Sequence, residues 1–308
     1  MQRERGFALV ITLVITALLV ALTVQFIDDV FVETSSAHNY IDGQQASLMA
    51  NSGVDGAIQL IRLSLTGRTY TTLVDPWAKP LQIEDEKGSL RVTIEDESAR
   101  INLNRTARDL GKAEDSFYFQ AAARLFKRSG VPLDLLDALA DWQDLNDDPL
   151  PGGAETAHYM KLKQPYKAKN GKLRTVEELL LIRGFDMPSL ARIKPFVRVY
   201  PEAELADSNK ININTAPREV LAALADDMSD DLARQITDYR ITNPFKATGQ
   251  LSNVPGLESI ANRLQLYTSV TSSLYRITSE ARVGETFRTV EAVVDLQSTQ
   301  PFLYWREY

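Results

Sequence analysis

A dense cluster of acidic residues is the part of the chain best suited to bind a ligand. Four aspartates and an asparagine lie within eight residues, at Asp141, Asp144, Asn146, Asp147 and Asp148. Glu155 follows a pair of glycines. Oxygen ligands at this density on a loop suit calcium, which takes six to eight of them. The spacing is not that of an EF-hand, and a solvated acidic loop that ends a helix would give the same pattern.

Other kinds of chemistry have few candidate residues. The chain has no cysteine and only two histidines, His38 and His158, which are far apart in sequence. This composition excludes thiol chemistry and leaves little for a zinc site or a histidine general base. No phosphate-binding loop, dinucleotide fingerprint or Gly-x-Ser-x-Gly motif occurs. The sequence therefore predicts a protein that is not an enzyme.

The net charge bears on nucleic-acid binding. Lys+Arg is 34 and Asp+Glu is 41, a net charge of −7, which argues against contact with a phosphate backbone. Two segments, 181–185 and 254–257, nevertheless resemble the turn of a helix-hairpin-helix, a motif often used on DNA. Glu258 follows the second turn, and the second glycine of the usual pattern is absent. A packing turn is the simpler interpretation, and a membrane-anchored nucleic-acid-binding protein is the alternative function.

An apolar segment near the N-terminus determines where the rest of the chain lies. Phe7 to Ile27 carries no charge. A helix of this length covers roughly 30 Å, the thickness of the hydrocarbon core of a bilayer. Arg3 and Arg5 precede it and Asp28 follows it, so the short N-terminal end is expected in the cytoplasm and the remainder across the membrane.

Three interpretations of this segment differ in how it is processed. A cleaved secretory signal is excluded, because the apolar run is too long and no small-x-small site follows it. A plain signal anchor fits the hydropathy. The junction of a short charged leader, Gly6 and Phe7 also resembles the type IV prepilin signal, in which a membrane peptidase cleaves after the glycine and methylates the new N-terminal phenylalanine.

One position departs from the pilin pattern. Most pilins carry a glutamate at the fifth residue of the mature chain, where this chain has Ile11. A carboxylate in hydrocarbon is costly unless it is paired, and a subunit without a neighbour above it has no use for one. Ile11 therefore either weakens the resemblance to pilins or indicates a subunit at the tip of a filament.

The elements beyond the membrane segment indicate a split sheet on a long helix. From Asp28 to about Leu65 there is no proline, and apolar residues recur at helical spacing, which predicts either one helix from Phe7 to Leu65 or two separate helices. Strand patterns occur at 79–85 and 88–97 and return only at 274–283 and 285–296. The segment between them is helical, which predicts one small sheet interrupted by a large insertion.

The insertion contains a repeat. Ile101-Asn102-Leu103-Asn104 recurs as Ile211-Asn212-Ile213-Asn214, and in each copy a short extended piece precedes a run of helices. We interpret the insertion as two tandem helical bundles, each similar to a SAM or helix-hairpin-helix domain, joined by a linker at 201–209.

Taken in order, these features resemble the K-type minor pseudopilins of type II secretion. The resemblance rests on the junction at Gly6 and Phe7, on Ile11, on the two asparagine-rich repeats, on Trp142-Gln143-Asp144 and on the large helical insertion. It implies an α+β pseudopilin fold, with a long N-terminal transmembrane helix packed on a small antiparallel sheet. The implied divisions are 1–6 for the leader, 7–27 for the transmembrane helix, 28–66 for its continuation, 67–104 with 274–308 for the sheet, and 105–205 and 206–273 for the inserted domains.

The resemblance also implies a function and partners. The expected function is that of a subunit at the pseudopilus tip, which starts assembly and helps to push folded proteins through the outer-membrane channel. The expected partners are the I- and J-type minor pseudopilins, other pseudopilins, the inner-membrane assembly platform and the prepilin peptidase, but not nucleic acid. The expected location is the inner membrane, with the C-terminal part periplasmic. Calcium binding in the helical domain is the cofactor implied, and Asp141, Asp144, Asn146, Asp147, Asp148 and Glu155 are the expected ligands.

Overall fold

A single helix forms the spine of the molecule. The computed structural model describes residues 2–106, 116–200 and 209–308, with side chains from Phe7 onward. Helix α1 spans Gln2–Leu65 without a break, so the alternative of two helices is wrong. Among the described residues it is the one helix long and apolar enough to cross a membrane. The predicted leader, 1–6, is described only in the backbone of 2–6, and the predicted linker, 201–209, lies outside the described residues except for Asn209.

The C-terminal part of α1 packs against a sheet. Glycine and alanine residues, with Val54, Ile58 and Ile61, line its buried face from Gly43 onward, mostly at a spacing of three or four residues. The helix lies directly against the sheet at Gly53, where a Cβ atom would lie 2.2 Å from the Ser279 hydroxyl oxygen. The sheet has five antiparallel strands in the order β1-β2-β7-β8-β9. They are β1 (Leu81–Glu84), β2 (Gly88–Asp96), β7 (Leu274–Val283), β8 (Thr286–Asp295) and β9 (Phe302–Glu307).

The insertion begins and ends at the same end of the sheet. Neighbouring strands β2 and β7 pair in register from Gly88 with Val283 to Asp96 with Tyr275. Gly284, in the turn after β7, lies beside Asp42 of α1. The end of the sheet that contains Gly284 is therefore the end nearer the apolar N-terminal run. The insertion therefore joins the sheet at the end farther from that run.

The predicted boundary of the sheet is wrong by several residues. Strand β3 (Ile101–Asn102), predicted within the sheet segment 67–104, pairs in parallel with β4 (Val197–Arg198) of the insertion instead. The reason is local: the Asp96 carboxylate accepts a hydrogen bond from the Ser98 backbone N–H and so starts a 3₁₀ turn at Glu97–Ala99. This turn takes the chain off the sheet.

The insertion is helical and has two segments with the same order of elements, except that the short α4 occurs only in the first. The first contains β3, α2 (Phe117–Arg128), α3 (Asp134–Gln143), the short α4 (Thr156–Tyr159), a 3₁₀ segment (Val176–Leu181), α5 (Met187–Ile193) and β4. The second contains β5 (Ile211–Asn212), α6 (Arg218–Ala223), α7 (Asp230–Thr242), a 3₁₀ segment (Thr248–Asn253), α8 (Glu258–Leu264) and β6 (Thr268–Ser269). Strands β5 and β6 pair in parallel, as β3 and β4 do. One continuous cluster of buried apolar side chains runs through both segments, so their description as two separate bundles stays an interpretation.

The repeated asparagines act as clamps. The Asn104 side chain accepts a hydrogen bond from the Leu173 N–H at 2.7 Å and donates to the carbonyl oxygens of Leu173 and Val199, at 2.8 and 2.6 Å. Asn214 makes the equivalent pair with Phe245, accepting from its N–H at 2.9 Å and donating to its carbonyl at 2.8 Å. Each clamp closes its segment around backbone that would otherwise be buried without a partner.

Buried polar groups hold the insertion to the sheet. The Asp96 carboxylate also accepts hydrogen bonds from the hydroxyls of Thr215 and Ser272, and burial raises the pKa of Asp96 despite these bonds. The guanidinium of Arg198 is fully buried and donates to the carbonyl oxygens of Arg100, Tyr200 and Asn209, at 3.2, 2.7 and 3.2 Å. These bonds tie both inserted segments to the end of β2.

Candidate metal centre

Three acidic residues meet between α3 and α4. Asp141 lies in the last turn of α3, Asp144 directly follows that helix, and Glu155 directly precedes α4. One carboxylate oxygen from each lies within 4.8 Å of the others. Asp141 and Glu155 are buried and Asp144 is half-buried. The loop from 144 to 155 therefore brings together residues at its two ends.

The surrounding backbone orients Asp141. The Leu150 N–H donates to both of its carboxylate oxygens, at 3.2 and 3.1 Å. A Cβ atom on Gly153 would lie 1.8 Å from Asp141 Oδ2, so only glycine fits at that position. The Gly152 N–H donates to Asp137 Oδ2 at 3.2 Å and fixes the same turn. The two glycines thus let the loop close over the carboxylate.

Glu155 has a buried carboxylate without a hydrogen-bond partner in the described part of the chain. Neither of its carboxylate oxygens has one, although the residue is only 4% exposed. Burial, together with the charges of Asp141 and Asp144, raises the pKa of Glu155 to about 7. Burial also raises the pKa of each of those two aspartates. A buried carboxylate with no donor costs free energy that a bound cation would remove.

This donor set fits a hard divalent cation such as calcium. The three carboxylates supply only oxygen ligands, and a divalent ion would reduce their combined charge from −3 to −1. The bound ion would cross-link the end of α3 to the start of α4. Its effect would therefore be structural.

The other predicted ligands have different surroundings. The Asp144 carboxylate accepts from the Asn146 N–H at 3.2 Å, and the Asn146 side chain accepts from the Asp148 N–H at 2.8 Å, so both side chains shape the turn. Asp147 and Asp148 are exposed and lie outside the group of three. Their role as ligands stays a prediction. Sequence reasoning missed Gly153, for which the Gly152-Gly153 pair was the available signal.

Aromatic rings pack together on the elements that carry the three carboxylates. Trp142 and Tyr159 are buried edge to face, with ring centroids 5.2 Å apart. Tyr166 stacks on Tyr159 at 5.3 Å, and its hydroxyl donates to the Leu181 carbonyl. Such pairs add to the stability supplied by burial. They keep α3, α4 and the following loop in a fixed arrangement.

The hairpin-like turns are packing features. Gly184 and Gly256 occupy matching places in the two segments and have φ angles of +84° and +85°, a conformation that favours glycine. A Cβ atom on Gly184 would lie 2.6 Å from Leu135 Cδ2, and one on Gly256 would lie 3.1 Å from Leu232 Cδ2. Each turn therefore rests against a helix of its own segment.

The N-terminal positions lie on an exposed part of α1. Phe7 and Ile11 are 69% and 42% exposed, and so is the rest of the apolar run that follows them. Cleavage after Gly6 and methylation of Phe7 stay predictions.

Comparison with known proteins identifies the family. Two family models, each described as "Type II secretion system (T2SS), protein K", match residues 99–202 and 211–270. The type II secretion system protein K of Pseudomonas aeruginosa is 30% identical over 255 residues, covering 79% of this chain and 74% of that protein. The Klebsiella pneumoniae protein of the same name is 29% identical over 270 residues, covering 83% of this chain and 81% of that protein. This chain belongs to the type II secretion system protein K family.

A solved structure supports this assignment at the level of the fold. The crystal structure of the GspK-GspI-GspJ complex from enterotoxigenic Escherichia coli has a chain that matches with a TM-score of 0.75 and 25% identity. The match covers 90% of this chain and 99% of that chain. The predicted fold class, with a long N-terminal helix on an antiparallel sheet, is confirmed. Membership in the protein K family makes the chain a minor pseudopilin, a structural component of type II secretion.

Proposed function

We propose that this minor pseudopilin occupies the tip of the pseudopilus. The observation that carries the proposal is the position of the insertion. It joins the sheet at the Asp96 and Tyr275 end, away from the apolar run of α1, and so extends the molecule in the direction in which a further subunit would have to be added. A bulky cap there suits a terminal subunit better than one inside a filament.

The apolar run gives independent support. Ile11 stands where filament subunits use a carboxylate, and an unpaired carboxylate in hydrocarbon is costly. A tip subunit has no neighbour above it to supply a partner charge. The chain therefore avoids a cost that only interior subunits can offset.

The partners follow from the related complex. The solved relative is a K-type subunit in a complex with I- and J-type subunits, and this chain would form the corresponding tip complex. That complex would start assembly on the inner-membrane platform and, as the pseudopilus grows, help to push folded proteins through the outer-membrane channel. The chain would be anchored in the inner membrane by 7–27, with its folded part periplasmic, after cleavage behind Gly6 and methylation of Phe7.

Calcium would stabilise the first inserted segment. Asp141, Asp144 and Glu155 would hold the ion, and the buried, unpartnered carboxylate of Glu155 is the observation that favours it. Bound calcium would supply charge neutralisation and a cross-link between α3 and α4.

Labelling of assembled pseudopili tests the position at the tip. The chain would carry an epitope tag at its C-terminus in cells that also produce the I- and J-type subunits and the major pseudopilin. Gold-labelled antibody is expected at one end of each pseudopilus. Label spread along the length would contradict the proposal.

Mass spectrometry of the N-terminus tests the processing. The full chain would be produced with and without an active prepilin peptidase. We expect a product that begins at methylated Phe7 only with the peptidase. An uncut Met1, with a known prepilin cleaved in the same cells, would contradict it.

A further inference from the structure

The loop that follows α4 carries a concentration of positive charge. Between 161 and 174 it has six cationic side chains, at Lys161, Lys163, Lys167, Lys169, Lys172 and Arg174. No acidic residue occurs from Thr156 to Val176. This is a local exception in a chain of net charge −7.

Most of these charges lack a carboxylate partner. Lys169 pairs with Glu178, with Nζ and Oε2 2.6 Å apart. Four others are exposed and form no ion pair within the described part of the chain: Lys161, Lys163, Lys167 and Arg174.

The loop is held in place rather than free. The Tyr166 hydroxyl donates to the Leu181 carbonyl at 2.7 Å, and the Leu173 N–H donates to the Asn104 side chain at 2.7 Å. Ala168 and Leu173 are buried. The backbone between these anchors includes Asn170 at a φ of +47°, a conformation that few non-glycine residues adopt. Like charges held at fixed positions repel one another, and an anionic partner would relieve that cost.

The second segment makes the equivalent connection with far fewer residues. In the second segment, 243–247 connects α7 to the following 3₁₀ segment. In the first, the equivalent connection runs from 144 to 175 and includes the basic loop and two of the three acidic residues, Asp144 and Glu155. The extra length therefore gives the first segment a surface that the second segment lacks.

We propose that the basic loop 161–174 binds an acidic segment of a partner protein. Met160 and Leu162 are exposed by 50% and 39% and alternate with Lys161 and Lys163, so the surface presents apolar and cationic groups together. A protein segment that combines carboxylates with apolar side chains matches both features. A phosphate backbone would leave the apolar groups uncovered.

The anchoring membrane is a poor candidate for the anionic partner. Gly43, the first buried position of α1 beyond the apolar run, lies sixteen positions after Ile27, the end of that run. At 1.5 Å per residue this is about 24 Å. The insertion joins the sheet farther still, at the opposite end from Gly284. The Debye length at physiological ionic strength is about 8 Å, so the charge of that bilayer is screened at the sheet end where the insertion begins.

Binding of a designed acidic peptide tests the proposal. The full chain would be placed in nanodiscs of neutral phosphatidylcholine, and the probe would be a fluorescein-labelled peptide of five Glu-Glu-Leu repeats, followed by anisotropy. The loop variant would carry Lys161→Glu, Lys163→Glu and Lys167→Glu. The matched control, Lys79→Glu, Arg218→Glu and Lys246→Glu, makes the same change in net charge at exposed residues outside the first segment that form no ion pair in the described structure.

The loop variant is expected to bind the peptide at least about tenfold more weakly than the unchanged chain, and the control variant to change affinity by less than about twofold. Raising the salt concentration from about 50 to about 200 mM should weaken binding to the unchanged chain. Circular dichroism must show both variants folded; if the triple variant unfolds, Lys163→Glu alone is expected to weaken binding about threefold.

Three outcomes would overturn the proposal. The first is the absence of peptide binding, and the second is an equal loss of affinity in the loop and control variants. The third is tighter binding of a duplex DNA or of vesicles containing phosphatidylglycerol than of the peptide, because either would identify a different class of partner.

Discussion

The two inserted segments share a framework but differ in their connections. Each begins at an Ile-Asn strand, closes with a parallel pair of short strands, uses an asparagine clamp and turns at a glycine with positive φ. The first segment alone has the long connection from 144 to 175, which carries the basic loop and two of the three acidic residues of the candidate metal centre. The repeated parts therefore maintain the fold, and the part found in one copy only carries the candidate binding functions. Five experiments test this difference between the two segments.

The largest effect is expected from removing the asparagine clamps. Asn104→Ala leaves a buried N–H and two carbonyl oxygens without their partner, whereas Asn214→Ala leaves one N–H and one carbonyl. We expect losses of about 3 to 4 and about 2 kcal/mol in the free energy of unfolding. Urea titration of the full chain in detergent measures both. A larger loss for Asn214→Ala than for Asn104→Ala would show that the number of hydrogen bonds at each asparagine does not decide its contribution to stability.

Calcium should stabilise only the first segment. At a calcium concentration of about one hundred times its Kd, the linked stabilisation is about 2.7 kcal/mol. Hydrogen exchange followed by mass spectrometry should detect added protection at 134–159 and none at 230–264. Glu155→Gln should abolish the effect, and Glu258→Gln, an exposed control in the second segment, should retain it. Equal protection of both segments would argue against the site.

This calcium effect should depend on pH. Burial raises the pKa of Glu155 to about 7, so the folded chain without calcium keeps a proton there that the unfolded chain loses near its ordinary pKa of 4.5. The contribution of this group to stability is therefore lost as pH rises from 4.5 through 7. Calcium must displace the same proton, so its affinity should fall about tenfold from about pH 8 to about pH 6. Titration calorimetry measures the affinity, and one that does not change with pH would exclude Glu155 as a ligand.

Replacing the two turn glycines should destabilise the protein to different extents, because their neighbours lie at different distances. Alanine at either position meets the unfavourable positive φ, which costs about 1 kcal/mol. Gly184→Ala also places a Cβ 2.6 Å from Leu135 Cδ2, whereas the nearest atom at Gly256 is 3.1 Å away. Thermal melts should therefore show Gly184→Ala as the less stable variant, by about 1 kcal/mol. The reverse order would show that the two turns are packed differently.

The smallest effect concerns the exposed aspartates. Asp147→Asn and Asp148→Asn remove predicted ligands that lie outside the group of three carboxylates. Calcium affinity should fall by less than about threefold in each, through the loss of a nearby charge only. A fall of one hundredfold would show that these residues bind the ion after a rearrangement of the loop.

The sequence predicted the fold where one spacing of apolar residues, helical or alternating, continues over a long segment. The unbroken α1 follows from helical spacing without proline, and β7 and β8 follow from alternation around a glycine turn. The pairing of β3 with β4 did not follow, because it joins residues 96 apart in sequence, Ile101 and Val197. The same limit applies to Glu155, whose burial depends on the closure of the loop around Gly153. The basic loop was readable in the sequence as a run without acids, but its rigidity is a property of the folded chain.

The pairing of β2 with β7 has a consequence for the order of folding. Asp96 and Tyr275 are adjacent in the sheet, although about 180 residues separate them along the chain. Closing so long a loop of unfolded chain has a substantial entropic cost, and contacts of this sequence separation form slowly. Once the insertion has folded, its two ends are already close and most of that cost has been met. The insertion is therefore expected to act as the folding nucleus for the sheet, and a chain that cannot form its helices should expose an unpaired β2 edge to aggregation.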